Sequence, residues 1–304
     1  MHAWPELRWS EWSDSCQTLQ LWTQIAGKIR MAQTPPVNHW WHVTLYVTTR
    51  GLSTSPIPYG ARTFSIDFDF VEHRLRVSCS DGSEAGFALQ PMSVATFYRQ
   101  TMDAMASLGI EVKIHTTPSE IANPIPFDQD EQHTTYDPDA VHRYWCALVQ
   151  ADRVFNQFRS RFIGKVSPVH LFWGALDLAV TRFSGRTAPR HPGVPILPDA
   201  VTHEAYSHEV SSAGFWPGGA LPDGGAIEAM FYSYAYAAPE GFADANVRPE
   251  AAFYSKEMGE FMLPYEAVRT SASPDDTLME FLQSTYDAAA DLAKWDRAAL
   301  ERKS

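Results

Sequence analysis

Apolar residues recur at helical spacing in four segments of the chain. The pattern predicts helices over about residues 11–31, 94–108, 138–163 and 275–298. Three of these segments carry a start signal, namely Ser93, Asp137-Pro138 and Ser273-Pro274. The first helix is expected to stop at Gly27-Lys28 or just beyond it, and the third at Gly164-Lys165.

Between the helices, apolar and polar residues alternate with the period of two that is typical of strands. The run 63–70 is the clearest, because aromatic or aliphatic side chains occupy every second position. The remaining strands are expected over about residues 36–50, 74–79, 85–89, 110–115, 168–182, 204–215, 226–237 and 260–268. Such alternation predicts antiparallel sheets with one buried face.

Two stretches of the chain echo each other. Residues 36–50 and 168–182 share Pro, Val, Trp, Thr and Arg at five of fifteen ungapped positions. A second echo relates the helix around Phe97 to the helix around Phe281, in the same order along the chain. Repeats in the same order indicate an internal duplication.

The predicted fold is therefore α+β and internally duplicated. Each unit is expected to consist of a helix, a four-stranded antiparallel sheet and a helix, with the two halves paired about a pseudo-twofold axis. We place the first repeat at residues 1–122 and the second, with longer loops, at 123–304.

Composition and charge narrow the possible functions. The net charge of -12 argues against binding to nucleic acid or to an anionic membrane surface. No signal peptide or apolar run long enough for a membrane span is seen, and the three cysteines show no paired spacing. We expect a soluble cytoplasmic protein whose partner is a small molecule, with an oligomeric state that the sequence leaves open.

Candidate chemistry concentrates on the even-numbered face of the echoed strands. If residues 36–50 form one strand, His42 and Arg50 share a face, and His170 and Arg182 share the matching face of the second copy. His42 or His170 would act as a general base, Glu209 as the partner carboxylate and Arg182 as the substrate anchor. The alternative for the arginines is an inward ion pair, with Asp177 or Glu209 as the partner of Arg182.

A metal site is a further hypothesis for the same groups. His42, His170 and Glu209 form a set of two histidines and one carboxylate, which suits iron or zinc with open positions. His39 and His208 are alternative ligands, although a strand would turn His39 and His42 to opposite faces. The competing interpretation is that these histidines are hydrogen-bonded among buried aromatic residues.

Aromatic residues are numerous, with 10 Trp, 12 Tyr and 17 Phe, and they predict either a heavily aromatic core or a ligand pocket. The expected ligand-binding side chains are Trp40, Tyr46, Arg50, Trp173, Tyr206 and Trp216. The run Phe231-Tyr232-Ser233-Tyr234-Ala235-Tyr236 could line an apolar pocket, although the core of a strand is the simpler interpretation of it.

Several runs resemble an uncharacterised bacterial family of domains of unknown function, number 5996 in that series. They include 38–42, 162–165, 167–170, 181–186 and 206–209 followed by 215–218. The resemblance spans about residues 6–300 and implies a bacterial, single-chain soluble protein. It implies no activity and no catalytic residue.

Both enzymatic and non-catalytic functions follow from these patterns. The first is an enzyme that acts on a small, partly aromatic or acidic molecule at a His/Glu/Arg site, with or without a metal. The second is a non-catalytic protein that holds a small molecule in an aromatic cleft, or a module that binds another protein through that face. Convergence of the polar groups on one point would distinguish the enzyme from the others.

Overall fold

The computed structural model describes residues 4–194, 197–220 and 225–303. Its helices are α1 (Trp9–Gln33), α2 (Val94–Ser107), α3 (Pro138–Ser160), α4 (Asp199–Ala205), α5 (Tyr265–Arg269), α6 (Pro274–Leu292) and α7 (Arg297–Leu300). The four helices predicted from the apolar spacing are confirmed as α1, α2, α3 and α6. Together with the antiparallel sheets described below, they confirm an α+β fold.

Capping groups explain where two of these helices begin. The hydroxyl of Ser93 accepts a hydrogen bond from the backbone N–H of Thr96 at 3.1 Å. The carboxylate of Asp137 accepts from the backbone N–H groups of Asp139 and Ala140 at 2.9 and 3.2 Å. Both side chains satisfy N–H groups that have no partner inside the helix, as their positions in the sequence predicted.

The chain forms two compact units that are not contiguous in sequence. The first unit contains Ser10–Trp145 and Leu171–Leu176, and the second contains Met1–Trp9, Cys146–His170 and Asp177–Ser304. The division after residue 122 was predicted from the internal repeats. The compact units do not test it, so it stays a prediction.

The first unit holds an antiparallel sheet of short strands. They are β1 (Tyr46–Val47), β2 (Gly51–Ser53), β3 (Ile57–Tyr59), β4 (Arg62–Asp69), β5 (Arg74–Cys79) and β6 (Glu84–Ala88). The order is β1-β2-β4-β5-β6, and β3 pairs with β4. Phe97 of α2 contacts Phe68 of β4 at 6.0 Å, so α2 packs on the sheet, and Trp22 of α1 stacks on Phe97 at 4.6 Å.

Residue 170 is where the chain passes between the units, within the short strand β7 (His170–Phe172). The second unit then contains β8 (Asp177–Thr187), β9 (His208–Trp216), β10 (Gly219–Ala220), β11 (Ala226–Ile227), β12 (Met230–Tyr236), β13 (Phe253–Ser255) and β14 (Glu260–Pro264). Its main sheet runs β13-β14-β12-β9-β8, while β10 and β11 form a separate antiparallel pair.

The main sheet of the second unit has one apolar face and one polar, aromatic face. On the apolar face Phe231 of β12 is fully buried and contacts Phe155 of α3 at 6.3 Å. The neighbouring positions Tyr232, Tyr234 and Tyr236 point to the opposite face and are half-buried. The alternation in the sequence therefore predicted this strand, and its two faces differ in chemistry.

The predicted strand over residues 36–50 is wrong. Asn38–Trp40 form one turn of 3-10 helix, and His39 and Trp40 have φ angles of +58° and +62°. Left-handed residues cannot continue a strand, so only Tyr46–Val47 of this stretch pairs as a strand. The even-numbered positions of this stretch therefore do not form one strand face, because the chain reverses direction between them.

Other elements also differ from the sequence prediction. Residues 110–115 form no strand, and 168–182 is divided into β7 and β8 by a turn in which Leu176 has a φ of +59°. The expected strand over 204–215 begins with the end of helix α4, and the one over 260–268 ends in helix α5. Helix α1 runs through Gly27-Lys28 to Gln33, so Gly27 does not end it.

Gly27 is required by packing rather than by a turn. A Cβ at this position would lie 2.1 Å from the indole Nε1 of Trp173. That indole donates a hydrogen bond to the backbone oxygen of Val43 at 2.7 Å. In the same unit, Leu45 and Leu171 exchange backbone hydrogen bonds of 2.8 and 2.9 Å, which joins the two echoed stretches.

Candidate functional site

A groove in the second unit lies at one end of the polar face of the main sheet. It has a volume of about 220 Å³. The described residues that line it are His191, Tyr206, Tyr234, Ala235, Tyr236, Met258, Gly259 and Glu260. We call it the tyrosine groove, because three of these residues are tyrosines.

Local sequence explains how each wall is placed. Tyr234 and Tyr236 are two residues apart on β12 and therefore project on the same side. Tyr206 is the C-cap of α4 and lies two residues before the start of β9. Glu260 is the first residue of β14 and follows Gly259, whose φ of +74° closes the turn from β13 at the rim of the groove.

The rings of the groove contact one another closely. The imidazole of His191 stacks on Tyr206 with centroids 4.5 Å apart, and it lies 4.9 Å from the ring of Tyr236. Tyr206 meets Tyr236 edge to face at 5.2 Å. Such mutual packing holds the rings in place without a ligand, so the walls are preformed.

The hydroxyl groups of the groove are bonded to the protein. The hydroxyls of Tyr206 and Tyr234 are 3.2 Å apart, and the hydroxyl of Tyr236 donates to the backbone oxygen of Pro189 at 2.9 Å. Burial raises the pKa of Tyr234 well above its ordinary value, so this hydroxyl keeps its proton at neutral pH. The carboxyl group of Glu260 and the tyrosine rings are the lining groups that a ligand can contact.

Two carboxyl groups lie on the same sheet face as the tyrosines. The hydroxyl of Tyr232 donates to Oδ2 of Asp177 at 2.5 Å. Tyr232 reaches Asp177 across β9 because its neighbour there is Gly214, where a Cβ would lie 2.3 Å from Cζ and Oη of Tyr232. A glycine is needed at this point so that the phenol can lie flat over the strand.

Burial changes the proton affinity of both acids. Burial raises the pKa of Asp177 to about 6, although the hydrogen bond from Tyr232 lowers it in part. Burial, and then the charge of Asp177, raise the pKa of Glu260 to about 7. Glu260 therefore exchanges its proton near neutral pH, which is the property of a general acid or base.

The histidine of the groove stays uncharged at neutral pH. Burial, and then the charge of His203, lower the pKa of His191 below its ordinary value. One of its ring nitrogens, Nδ1, accepts a hydrogen bond from the backbone N–H of Gly193 at 3.0 Å. The imidazole thus serves as a ring wall with a fixed tautomer rather than as a cation.

The candidate catalytic residues from the sequence lie elsewhere. His42 is buried in the first unit, where its Nδ1 lies 3.2 Å from the backbone nitrogen of Val37 and its ring lies 5.3 Å from Trp40. His39 lies 5.2 Å from Trp41. His170 is buried in the second unit, and His208 lies 3.0 Å from the hydroxyl of Ser207. None of these four histidines is among the described residues that line the tyrosine groove.

Glu209 and Arg182 have separate structural surroundings. Glu209 forms an ion pair with Arg186 at 2.6 Å. Arg182 is 1% exposed, and its guanidinium lies 3.4 Å above the ring of Phe158 and 4.3 Å from that of Tyr286. The expected ion pair of Arg182 with Asp177 or Glu209 is wrong, because residues 177 and 182 point to opposite faces of β8 and Glu209 is held by Arg186.

Of the expected ligand-binding residues, only Tyr206 lines the groove. Arg50 forms ion pairs with Asp69 at 2.6 Å and Glu72 at 3.0 Å, but its side chain is half-exposed rather than inward. The other four have these partners: Arg30 lies over the ring of Tyr46, Trp40 contacts His42, Trp173 donates to Val43, and Trp216 is paired with Met230 in the sheet.

The proposed metal ligands are not supported as a group. Within residues 4–194, 197–220 and 225–303, no three His, Cys, Asp or Glu side chains are arranged to hold a metal ion. The set of His42, His170 and Glu209, with iron or zinc, stays a prediction.

Sequence reasoning noticed the tyrosines of the groove but not its acids. The alternation in residues 231–236 was visible, and the pocket interpretation applies to Tyr234 and Tyr236, while Phe231 and Ser233 belong to the core. Asp177 and Glu260 carry no local signal, because each looks like an ordinary charged residue at the start of a strand. Only their pairing through β9 and β12 shows that they share a face.

Comparison with known proteins identifies a family but assigns no activity to it. A family model described as "Family of unknown function (DUF5996)" matches residues 4–302. No curated protein and no solved structure matches the chain. In the part of the chain that the structure describes, no helix is both long and apolar enough to cross a membrane.

Proposed function

The chain belongs to the DUF5996 family, whose function is unknown, and we propose that this member is a small-molecule enzyme with its active site at the tyrosine groove. Glu260 would exchange a proton with the bound molecule. Asp177, held by Tyr232, would tune that exchange through its charge. His191, Tyr206 and Tyr236 would bind the molecule through their ring faces.

The observation that carries this proposal is the position of Glu260. This acid lines a preformed aromatic groove and is half-buried on the same sheet face as a second acid, Asp177. An acid without an ion-pair partner at such a place costs stability, because burial disfavours its charged form. Arrangements that cost stability and adjust a pKa toward 7 are typical of catalytic groups.

The chemistry available is proton transfer to or from the ligand. Protonated Glu260 can donate to a leaving or carbonyl oxygen, and ionised Glu260 can accept a proton from a carbon, nitrogen or hydroxyl group. The hydroxyls of Tyr234 and Tyr206 bond to each other at the wall and keep it rigid. A fixed wall reduces the entropy that binding would otherwise cost.

We also propose that the two halves of the chain, residues 1–122 and 123–304, descend from one repeat. In each half, a long helix precedes a sheet whose strands follow one another in an antiparallel meander, and a second helix follows the sheet. The series α1, β2, β4, β5, β6, α2 corresponds to the series α3, β8, β9, β12, β14, α6.

A non-catalytic binding protein is the second candidate. It is favoured by the tyrosine hydroxyls, which bond to each other and to Pro189 instead of pointing at a ligand. Binding through ring faces needs no chemical step. In this case Glu260 would provide charge complementarity only.

A fragment screen by ligand-observed NMR tests both candidates. Fragments that bind the wild type and the Tyr254→Phe control, but not Tyr206→Leu, would support binding in the groove. Tyr254 is a matched control, because it belongs to the same sheet but packs on Phe261 at 5.1 Å, away from the groove. Binding that is equal in all three proteins would overturn the proposed site.

Turnover distinguishes the enzyme from the binding protein. Each groove-dependent fragment and its close analogues would be incubated with wild type and Glu260→Gln and followed by mass spectrometry. Conversion by the wild type only, with binding retained in Glu260→Gln, supports an enzyme. Binding without conversion in either protein supports the second candidate.

A further inference from the structure

Aromatic rings and one acid line the tyrosine groove. Three rings, those of His191, Tyr206 and Tyr236, lie within 4.5 to 5.2 Å of one another. The hydroxyl of Tyr236 is turned to the backbone of Pro189. The face of a phenol ring carries partial negative charge, so a tyrosine in the lining can attract a cation.

The charge around the groove has the same sign as the ring faces. Glu260 is the acid of the lining, and Asp177 lies close enough for its charge to affect Glu260. No lysine or arginine is among the described lining residues. The nearby Arg190 is directed at His203, with its Nε 3.2 Å from the imidazole Nε2. An anionic ligand would meet two acids without a compensating cation.

We infer that the ligand of the tyrosine groove is an organic cation, such as an amine or a quaternary ammonium compound, held by the faces of Tyr206 and Tyr236 and neutralised by Glu260. This inference rests on the proposed function, since it names the ligand class of the same groove. The sequence suggested an acidic ligand as one possibility, with Arg182 as its anchor. The structure does not support that ligand class, because Arg182 packs on the rings of Phe158 and Tyr286 instead.

Proton release provides a signature of this ligand class. A bound cation favours the ionised form of Glu260, so binding near pH 7 should release part of a proton to the solvent. An uncharged ligand that displaces water should instead favour the protonated acid and take up part of a proton. Calorimetry in two buffers of different ionisation enthalpy measures the sign of this exchange.

The experiment compares choline with its uncharged carbon isostere, 3,3-dimethyl-1-butanol, by isothermal titration calorimetry. Wild type is expected to bind choline about tenfold more tightly than the isostere, with proton release at pH 7. Glu260→Gln should lose about tenfold in choline affinity and all of the proton release. Tyr206→Leu and Tyr236→Leu should each weaken choline binding, whereas Tyr254→Phe should bind as the wild type does.

Three outcomes would overturn the inference: no choline binding, equal affinity for the isostere, or unchanged affinity in Glu260→Gln. The fragment screen shows whether such a result rejects only the cationic ligand or also rejects the groove as the functional site. Neutral or anionic fragments that bind in a Tyr206-dependent manner would leave the groove as the functional site and reject only the cation. If no fragment and no cation binds through Tyr206, both are rejected.

Discussion

Gly214 lies directly beneath the phenol ring of Tyr232, where a Cβ would be 2.3 Å from Cζ and Oη of that ring. The two residues are partners in the pairing of β9 with β12. The missing side chain leaves the space that Tyr232 crosses to reach Asp177 on β8. The absence of a side chain at Gly214 therefore permits the hydrogen bond that favours the ionised form of Asp177.

Gly214→Ala is expected to destabilise the protein by about 3 kcal/mol. The added methyl group would overlap the ring of Tyr232 and would lie 2.6 Å from the backbone oxygen of Leu178. Denaturation by urea measures the change. Ser212→Ala is the control two residues away, and it should cost about 1 kcal/mol through the lost contact with Thr181. Equal costs for the two variants would contradict the packing argument.

Tyr232→Phe is expected to raise the pKa of Asp177 above about 6. The phenol donates a hydrogen bond to the carboxylate, and this bond favours the ionised form. Carbon-13 NMR of the carboxyl group as a function of pH measures the change. In the Tyr254→Phe control the pKa should stay as in the wild type. A lower pKa in Tyr232→Phe would show that the bond does not stabilise the carboxylate.

The stability advantage of wild type over Glu260→Gln is expected to fall as pH rises. The folded-state pKa of Glu260 is raised from 4.5 to about 7, so its favourable contribution is complete below pH 4.5 and lost as pH rises through 7. The charged and titrating groups around it are Asp177, Tyr232 and Tyr234.

The expected decline between pH 4 and pH 8 is on the order of 3 kcal/mol in the free energy of unfolding of wild type minus variant. Urea denaturation at intervals of one pH unit measures it. Comparing the two proteins at each pH removes the contributions of carboxylates elsewhere, such as Asp69, whose pKa is lowered. A difference that is constant with pH would show that Glu260 has an ordinary pKa when folded.

Arg182→Met is expected to destabilise the protein less than Arg182→Ala does. Burial lowers the pKa of Arg182 to about 10, and its Nε has no hydrogen-bond partner among the residues that the structure describes. Methionine would keep contact with the rings of Phe158 and Tyr286 and avoid burying a charge, whereas alanine would leave a cavity costing about 3 kcal/mol or more. Thermal unfolding compares the variants. A Met variant that is as unstable as the Ala variant would mean that the guanidinium itself provides the stability.

Gly27→Ala is expected to destabilise the first unit by about 3 kcal/mol, although alanine is the better helix former. The methyl group would overlap the indole of Trp173 and break its hydrogen bond to Val43. Adding Trp173→Phe should recover part of the loss, because the smaller ring leaves room. Hydrogen exchange of the amides in α1 measures the effect. A Gly27→Ala protein as stable as the wild type would contradict the contact.

The sequence predicted the elements whose pattern is local. Helix α2 is bounded by the Ser93 cap and by Gly109, and strands β4 and β5 alternate cleanly, so their limits were predicted within about two residues. The predicted strand over residues 36–50 was wrong because its β-branched residues suggested a strand, whereas His39 and Trp40 adopt left-handed conformations. A composition rich in strand-forming residues does not reveal such a reversal.

The candidate site, too, was predictable from the sequence only in part. The sequence by itself determined that Tyr232, Tyr234 and Tyr236 would share one face, because side chains alternate along a strand. Only the tertiary structure decided that this face also carries Asp177 and Glu260, which are more than eighty residues apart in the chain and are joined through β9 and β12. The reason is physical: the pKa of a carboxyl group depends on its burial and on neighbouring charges, and both are set by folding.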